Sequence, residues 1–344
     1  MDNLAHALVG AALGRAVADR HVGHAGLIGI VAGNAPDWTE LFIGLPGTRA
    51  DYLLLHRGIT HSLVGALVET AALTLLIGAG WRLVRPANAP PWGWLALCIG
   101  AAVASHLFMD WQGSYGWRPF LPWNGTWYYL DWVAIVDPFF WLLPLVALAW
   151  GAERHWIPLA AALAVGATIT FFLARAADFV APWVLAVYAV VYVVAVIGWV
   201  RYWFGPVARR RAATLALSVL AVYTGAQGIV AGKRKSEIRQ EATRRFGAAA
   251  ASAALTNVGQ PFTWEAIYAS ADTVAGDDWR LPRHLRTPAV VRAMRQTPDG
   301  RAMAQFARFL TAEVDTSNTT IYLRDARYAR AGTDGWGVVR VKME

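Results

Sequence analysis

Six stretches of this chain are apolar for long enough to cross a bilayer, and they constrain its fold more than anything else in the sequence. They run Ser62–Gly80, Gly93–Met109, Val133–Ala149, Ile157–Ala174, Ala181–Val200 and Ala212–Ala231. A spanning helix needs about 17 to 25 apolar residues. With no water in the hydrocarbon core, the backbone must satisfy its own hydrogen bonds, which leaves a helical bundle as the natural form. Composition agrees, since only 16% of residues are charged against about 25% in soluble domains. Two shorter apolar pieces come first, Leu4–Ala18 and Ala25–Gly33. Each is too short to cross cleanly, so they are expected as a tucked-in or re-entrant helical pair packed on the bundle. The N-terminal piece does not read as a cleavable signal. It opens with an acid, and Arg15, Asp19 and Arg20 interrupt it early.

The net charge of +8 is explained by basic loops beside membrane helices, so a nucleic-acid partner is not expected. Loops after the first, third and fifth spans carry Arg82, Arg85, Arg154, Arg201, Arg209, Arg210 and Arg211, while the other short loops carry little beyond Arg118 and Arg175. Arginine-rich short loops stay cytoplasmic. This places His61, the 110–132 loop and the C-terminal tail outside, although Lys233, Arg234 and Lys235 run against the bias. The single cysteine, Cys98, excludes an intrachain disulfide.

From about residue 232 the composition becomes that of a soluble domain. Lys233–Arg245 reads as a charged helical connector, TWEAIYAS, TTIYLRDARY and WGVVRVK as strands, and Thr287–Leu310 as helix. The expected architecture is mainly α, with a polytopic bundle over residues 1–231 and a small soluble α+β domain over 232–344. The chain shows no internal repeat, low-complexity tract, Gly-rich phosphate loop or nucleophile elbow.

Polar chemistry gathers near the first two spans. His6 lies in NLAHAL and Asp37 in NAPDWTE. His56, Arg57 and His61 lie in HRGITHS, His106 and Asp110 in SHLFMDW, and Asp131 and Asp137 in YYLDWVAIVDP. His106 and Asp110 stand at i, i+4 and share a helical face. A histidine–carboxylate pair at that spacing suits a divalent metal whose other ligands come from elsewhere. His56 and His61 differ by about 140° of helical rotation, so they need a break between them, and Gly58 offers one. Thr60 or Ser62 then caps the following helix. Each residue alone admits an ordinary role: a lone histidine bonding across helices, an aspartate capping one, an arginine snorkelling. Convergence argues for more, because ionisable groups in membrane segments are costly and usually functional. Glu69, mid-span, reads as structural or as a proton relay. The tryptophan-rich 110–132 loop reads as an interfacial belt, with a lid over an amphiphilic substrate as the bolder role.

The order MDNLAHALVG, PDW, HRGITHS, SHLFMDW, DWVAIVDP resembles the membrane-bound metal-dependent hydrolase family (YdjM-like inner-membrane proteins), and PFTW, FARFLTAEV and LRDARY extend the likeness into the tail. More distantly, the ligand order is similar to that of zinc-dependent phospholipases C and P1-type nucleases. By that resemblance His6, Asp37, His61, His106 and Asp110 are the metal ligands. From their position near these ligands in the sequence, Arg57, His56 and Asp131 are expected as the catalytic residues. Ala5 replaces a threonine common before the first histidine, and Thr39 replaces a second acid, with Glu40 as a substitute. A second H-x-x-x-D helix is missing, so one or two zinc ions are expected, not three. The implied chemistry is phosphoester hydrolysis on a lipid or lipid-linked substrate by metal-activated water, with Arg57 as a phosphate clamp. Two other classes compete. A transporter or channel would need polar residues through the whole bundle, yet the last three spans are uniformly apolar. Haem bound through His61 and His106 would leave Asp37 and Asp110 without a role.

Overall fold

A computed structural model describes residues 1–39, 49–152, 156–315 and 319–343. Glu40 and Arg154 lie outside the described residues. Two compact units emerge. The first comprises Met1–Pro36, Ile59–Ile229 and Thr256–Thr263, and the second Asp37–Gly58, Val230–Leu255 and Trp264–Glu344.

The first unit is helical. Helices α1 (Asn3–Ala18) and α2 (Ala25–Asn34) form an antiparallel hairpin. Asp2 caps α1 by accepting from the Ala5 amide at 3.0 Å, a contact worth about 1 kcal/mol. The two helices meet backbone to backbone. A Cβ on Gly10 would stand 2.3 Å from the Gly29 carbonyl oxygen, and one on Gly29 only 2.0 Å from that of Gly10. GAALG and GIVAG therefore act as paired small-residue motifs of the kind that bring membrane helices close. The expected short helical pair is present, and this crossing fixes it.

Helices α4 (Leu63–Val84), α5 (Trp92–Trp111), α6 (Pro138–Trp150), α7 (Trp156–Arg175) and α8 (Pro182–Val200) follow in this unit. Between α2 and α4 the chain forms the short α3 (Arg49–Leu55). Helix α9 (Arg209–Phe246) is continuous from the apolar run into the charged connector. Among the described residues, four helices are long and apolar enough to cross a membrane: α4, α5, α8 and α9. Pro138–Trp150 and Ala162–Arg175 are shorter apolar stretches. The reason is plain at the first of these. Asp137 caps α6 by accepting from the Phe139 amide at 2.9 Å and Pro138 starts it, so residues 133–136 stay outside the helix. Thirteen residues then span about 20 Å against a core of about 30 Å. One core packs Val9, Met109, Phe140, Leu142, Ile169, Val184 and Leu220 together, and another joins Ile28, Leu95, Ile99, Val103 and Leu107.

The second unit carries the sheets. Strands β1 (Ala251–Thr256), β2 (Trp264–Ala269), β3 (Thr273–Ala275) and β4 (Arg280–Pro282) lie in that order in one sheet. Strands β5 (Leu310–Val314), β6 (Thr320–Asp325) and β7 (Val338–Lys342) form a second, wholly antiparallel one. The expected helix over 287–310 is instead two, α10 (Pro288–Gln296) and α11 (Pro298–Phe306), followed by β5. Pro298 has no amide proton to continue α10, and the Thr297 hydroxyl caps the new helix by accepting from the Gly300 amide at 3.0 Å. Within this unit α11 packs on α3, and Tyr52 meets the edge of Trp336 at 6.4 Å.

Candidate metal centre

The centre is assembled around the Asp110 carboxylate, which is 2% exposed at the end of α5. Three imidazoles converge on it. His6 Nε2 lies 3.3 Å from Oδ1, while His61 Nε2 and His106 Nε2 lie 3.4 and 3.6 Å from Oδ2. The i, i+4 spacing of His106 and Asp110 thus delivers the shared face expected of it. The Met1 amino group also reaches Oδ1, at 2.5 Å. His61 and His106 bring their Nε2 atoms within 3.1 Å of each other, and His6 stacks on His106 with ring centroids 3.7 Å apart. His6, His61 and His106 are all buried to 1% exposure or less.

Local structure explains each position. The α1–α2 crossing brings the His6 turn against Gly33, where a Cβ would stand 2.7 Å from the His6 carbonyl oxygen. The Gly33 carbonyl in turn accepts a hydrogen bond from His106 Nδ1 at 2.8 Å. A carbonyl only accepts, so His106 carries its proton on Nδ1 and turns the Nε2 lone pair toward Asp110. Metal-binding histidines are commonly oriented in this way. His61 closes the 3-10 turn Ile59–His61, and Ser62 then caps α4 by accepting from the Gly65 amide at 3.0 Å. The indole of Trp117 donates to the His61 carbonyl at 2.5 Å, and the Leu63 amide donates to Pro119. The 110–132 loop therefore has two faces: Trp117 is buried and supports the site, while Trp123 is 80% exposed. Sequence reasoning missed both the Gly33 carbonyl and Trp117. The paired glycine motifs were the signal for the first.

Asp37 ends the 3-10 turn Ala35–Asp37, which prolongs α2. It completes a set in which one ligand atom each from Asp37, His61, His106 and Asp110 lie within 4.8 Å of one another. The residue is half-buried as a whole, while its part in the cluster is buried. His6 falls outside that set of four, although it touches Asp110. Arg57 is 3% exposed and adopts a left-handed backbone (φ 50°). The break expected at Gly58 is present: a Cβ there would stand 2.6 Å from the Leu55 carbonyl oxygen, while the left-handed residue of the turn is Arg57, where a non-glycine residue meets strain. Asp131 is fully buried and also left-handed (φ 50°). His56 is half-buried and stacks on Tyr52 at 4.8 Å. Asp137 accepts from the Tyr223 hydroxyl at 2.6 Å. It serves as the cap of α6.

These residues suit a cation. Two carboxylates and two imidazoles are a common donor set for zinc and related divalent ions. Both ring nitrogens of His6 are buried without a hydrogen bond of good geometry, a condition that calls for an ion or other partner. Burial, reinforced by the neighbouring His106, holds the His6 imidazole down at about 3, so it stays neutral, as a ligand must.

Apolar helices of membrane-crossing length, together with a buried His/Asp cluster, define a helical membrane protein with a candidate metal centre. Residues 1–197 match the family described as YdjM inner membrane protein, and the chain belongs to it. It is also similar to a Bacillus subtilis (strain 168) protein described as uncharacterized protein YfhP, with 31% identity over 157 residues. That match covers 43% of this chain and 46% of the relative, so the chain spans about half of the relative's length. No solved structure matches.

Proposed function

We propose that the chain is an inner-membrane, metal-dependent hydrolase that cleaves a phosphoester of a lipid or lipid-linked substrate. The carrying observation is the convergence of Asp37, His61, His106 and Asp110 within 4.8 Å. One or two divalent cations held there, zinc being the best match to the donors, would lower the pKa of bound water toward about 7 and polarise a phosphoryl oxygen. His6 adds a fifth ligand. Asp37 or Asp110 orients the nucleophile, Arg57 clamps the phosphate with its planar fork, and His56 and Asp131 complete the catalytic set. A haem reading fits less well. Axial nitrogens on one iron stand about 4 Å apart, twice an ordinary metal–nitrogen bond, whereas these two lie 3.1 Å apart.

In this reading the two shorter apolar helices also cross, with the bilayer thinned around them, and the site and the C-terminal domain lie outside. Within the first unit, Asp2 and His6 share one end of the bundle with the start of α6, since the Trp141 indole donates to Asp2 at 2.9 Å. Asp19 meets Arg209 at the other end, at 2.5 Å. That polarity matches the arginine bias of the loops.

Elemental analysis of the purified protein should find about one or two divalent ions per chain. His106→Ala with Asp110→Ala should remove them, and stoichiometric metal surviving both changes would sink the metal centre. Arg57→Lys should keep the metal but lose about 2–4 kcal/mol of transition-state stabilisation. The assay is turnover of phosphodiester, phosphomonoester and carboxylester lipids in detergent, with and without chelator. Cleavage of carboxylesters alone, or a fully active Arg57→Lys, rules out the phosphate reading.

A further inference from the structure

The end of the first unit opposite the histidines carries a second concentration of charge. There a cleft of about 640 Å³ is lined by Arg20 just beyond α1, by Arg210 and Arg211 in the first turn of α9, and by Thr214, Leu215 and Ser218. Asp19 also borders it, but its carboxylate is already paired with Arg209 Nε at 2.5 Å. Arg210 Nε donates to the Ala16 carbonyl at 2.8 Å, which fixes that guanidinium at the cleft. Among the described residues, Arg20 and Arg211 have no acid within ion-pair distance. Three guanidinium groups thus surround a space whose one acid is already neutralised.

The helix below the arginines is two-faced. Arg210, Thr214 and Ser218 recur every four residues and form a polar stripe running inward along α9. The Thr214 hydroxyl donates to the Arg210 carbonyl at 3.0 Å. Beside the stripe, Leu215, Val219 and Val222 are 51, 45 and 73% exposed. Charge at the mouth, hydroxyls one and two turns in and open apolar surface alongside match an amphiphile with an anionic head.

We propose that this cleft binds the phosphate headgroup of an anionic phospholipid, its acyl chain lying along Leu215, Val219 and Val222. Arginine suits phosphate because its planar fork bonds two oxygens at once. Basic pockets between membrane helices attract acidic headgroups by the same electrostatics. A free phosphate would use the arginines and leave the apolar surface without a role, which favours the lipid. The inference stands apart from the hydrolase reading, since it uses none of the histidine cluster.

The test uses full-length protein in neutral detergent, titrated with phosphatidylglycerol, with phosphatidylcholine of the same chains, and with inorganic phosphate. Bound lipid is counted by native mass spectrometry and the unfolding midpoint is recorded. Phosphatidylglycerol should bind saturably and raise the midpoint, with phosphatidylcholine well behind. Arg20→Gln with Arg211→Gln loses no hydrogen bond seen in the structure. It should leave the lipid-free midpoint in place and weaken phosphatidylglycerol roughly tenfold. Arg211→Gln alone carries the same test should the double variant prove unstable. Equal binding of the two lipids, or a variant that binds phosphatidylglycerol like the parent, overturns the proposal. An equal response to inorganic phosphate also overturns it, because the cleft would then be a free-anion site.

Discussion

At the scale of single residues, the Gly33 carbonyl and the Trp117 indole do the orienting. The first sets the tautomer of His106, and the second holds the backbone of His61. Neither is a candidate ligand, yet each decides where a ligand nitrogen points. Trp117→Phe keeps an aromatic ring and deletes the donor. It should cost about 1 kcal/mol of stability and weaken the metal roughly tenfold or more, as loss of an orienting partner typically does. Competition with a chromogenic chelator would measure the affinity, and an unchanged value would remove Trp117 from the site. His106 and Asp110 were legible from spacing alone because both lie on one helix. The nearness of His6 was legible only through the family resemblance, because it depends on a helix crossing.

At the scale of elements, the α1–α2 crossing carries the site. Gly29→Ala would drive a methyl group into the Gly10 carbonyl. Forced apart, the helices should lose about 1–3 kcal/mol, and His6 and Gly33 should separate, so bound metal should fall with the unfolding midpoint. Gly80→Ala in α4 is the control. Nothing lies within 4 Å of its added methyl, and alanine favours helix by about 1 kcal/mol, so midpoint and metal content should hold or rise slightly. Equal damage from both changes would show that the crossing has no special part. The same scale explains the one helix expected and two found over 288–306. Amphipathic spacing continues through Thr297, but Pro298 has no amide proton and the Thr297 cap begins a new helix.

At the scale of the whole molecule, the prediction concerns sidedness. Under the arginine bias, Arg209–Arg211 face the cytoplasm and the chain emerges outside after α9. A phosphatase reporter fused after Glu344 should be active and a fluorescent reporter that folds only in the cytoplasm dark. The reverse pattern would put the histidine centre on the cytoplasmic face. The lysine–arginine run at Lys233–Lys235 is the feature that makes the experiment discriminating, because it lies on the side the bias calls external.

The sequence by itself determined the long apolar helices and most of the candidate donors. Apolar length is a local property, so α4, α5, α8 and the membrane part of α9 could be read directly, and so could the i, i+4 face of His106 and Asp110. The alternation of the tail gave β2, β6 and β7, but β1 and β5 were not read, and the short β3 and β4 fell below any periodic signal. Tertiary structure alone decided which carbonyl orients His106, that Trp117 belongs to the site, and that the left-handed residue of the turn before His61 is Arg57. Those outcomes come from contacts between residues far apart in sequence. Periodicity reports which face of a helix is polar, whereas the close approach of two glycine-lined backbones decides which groups meet there.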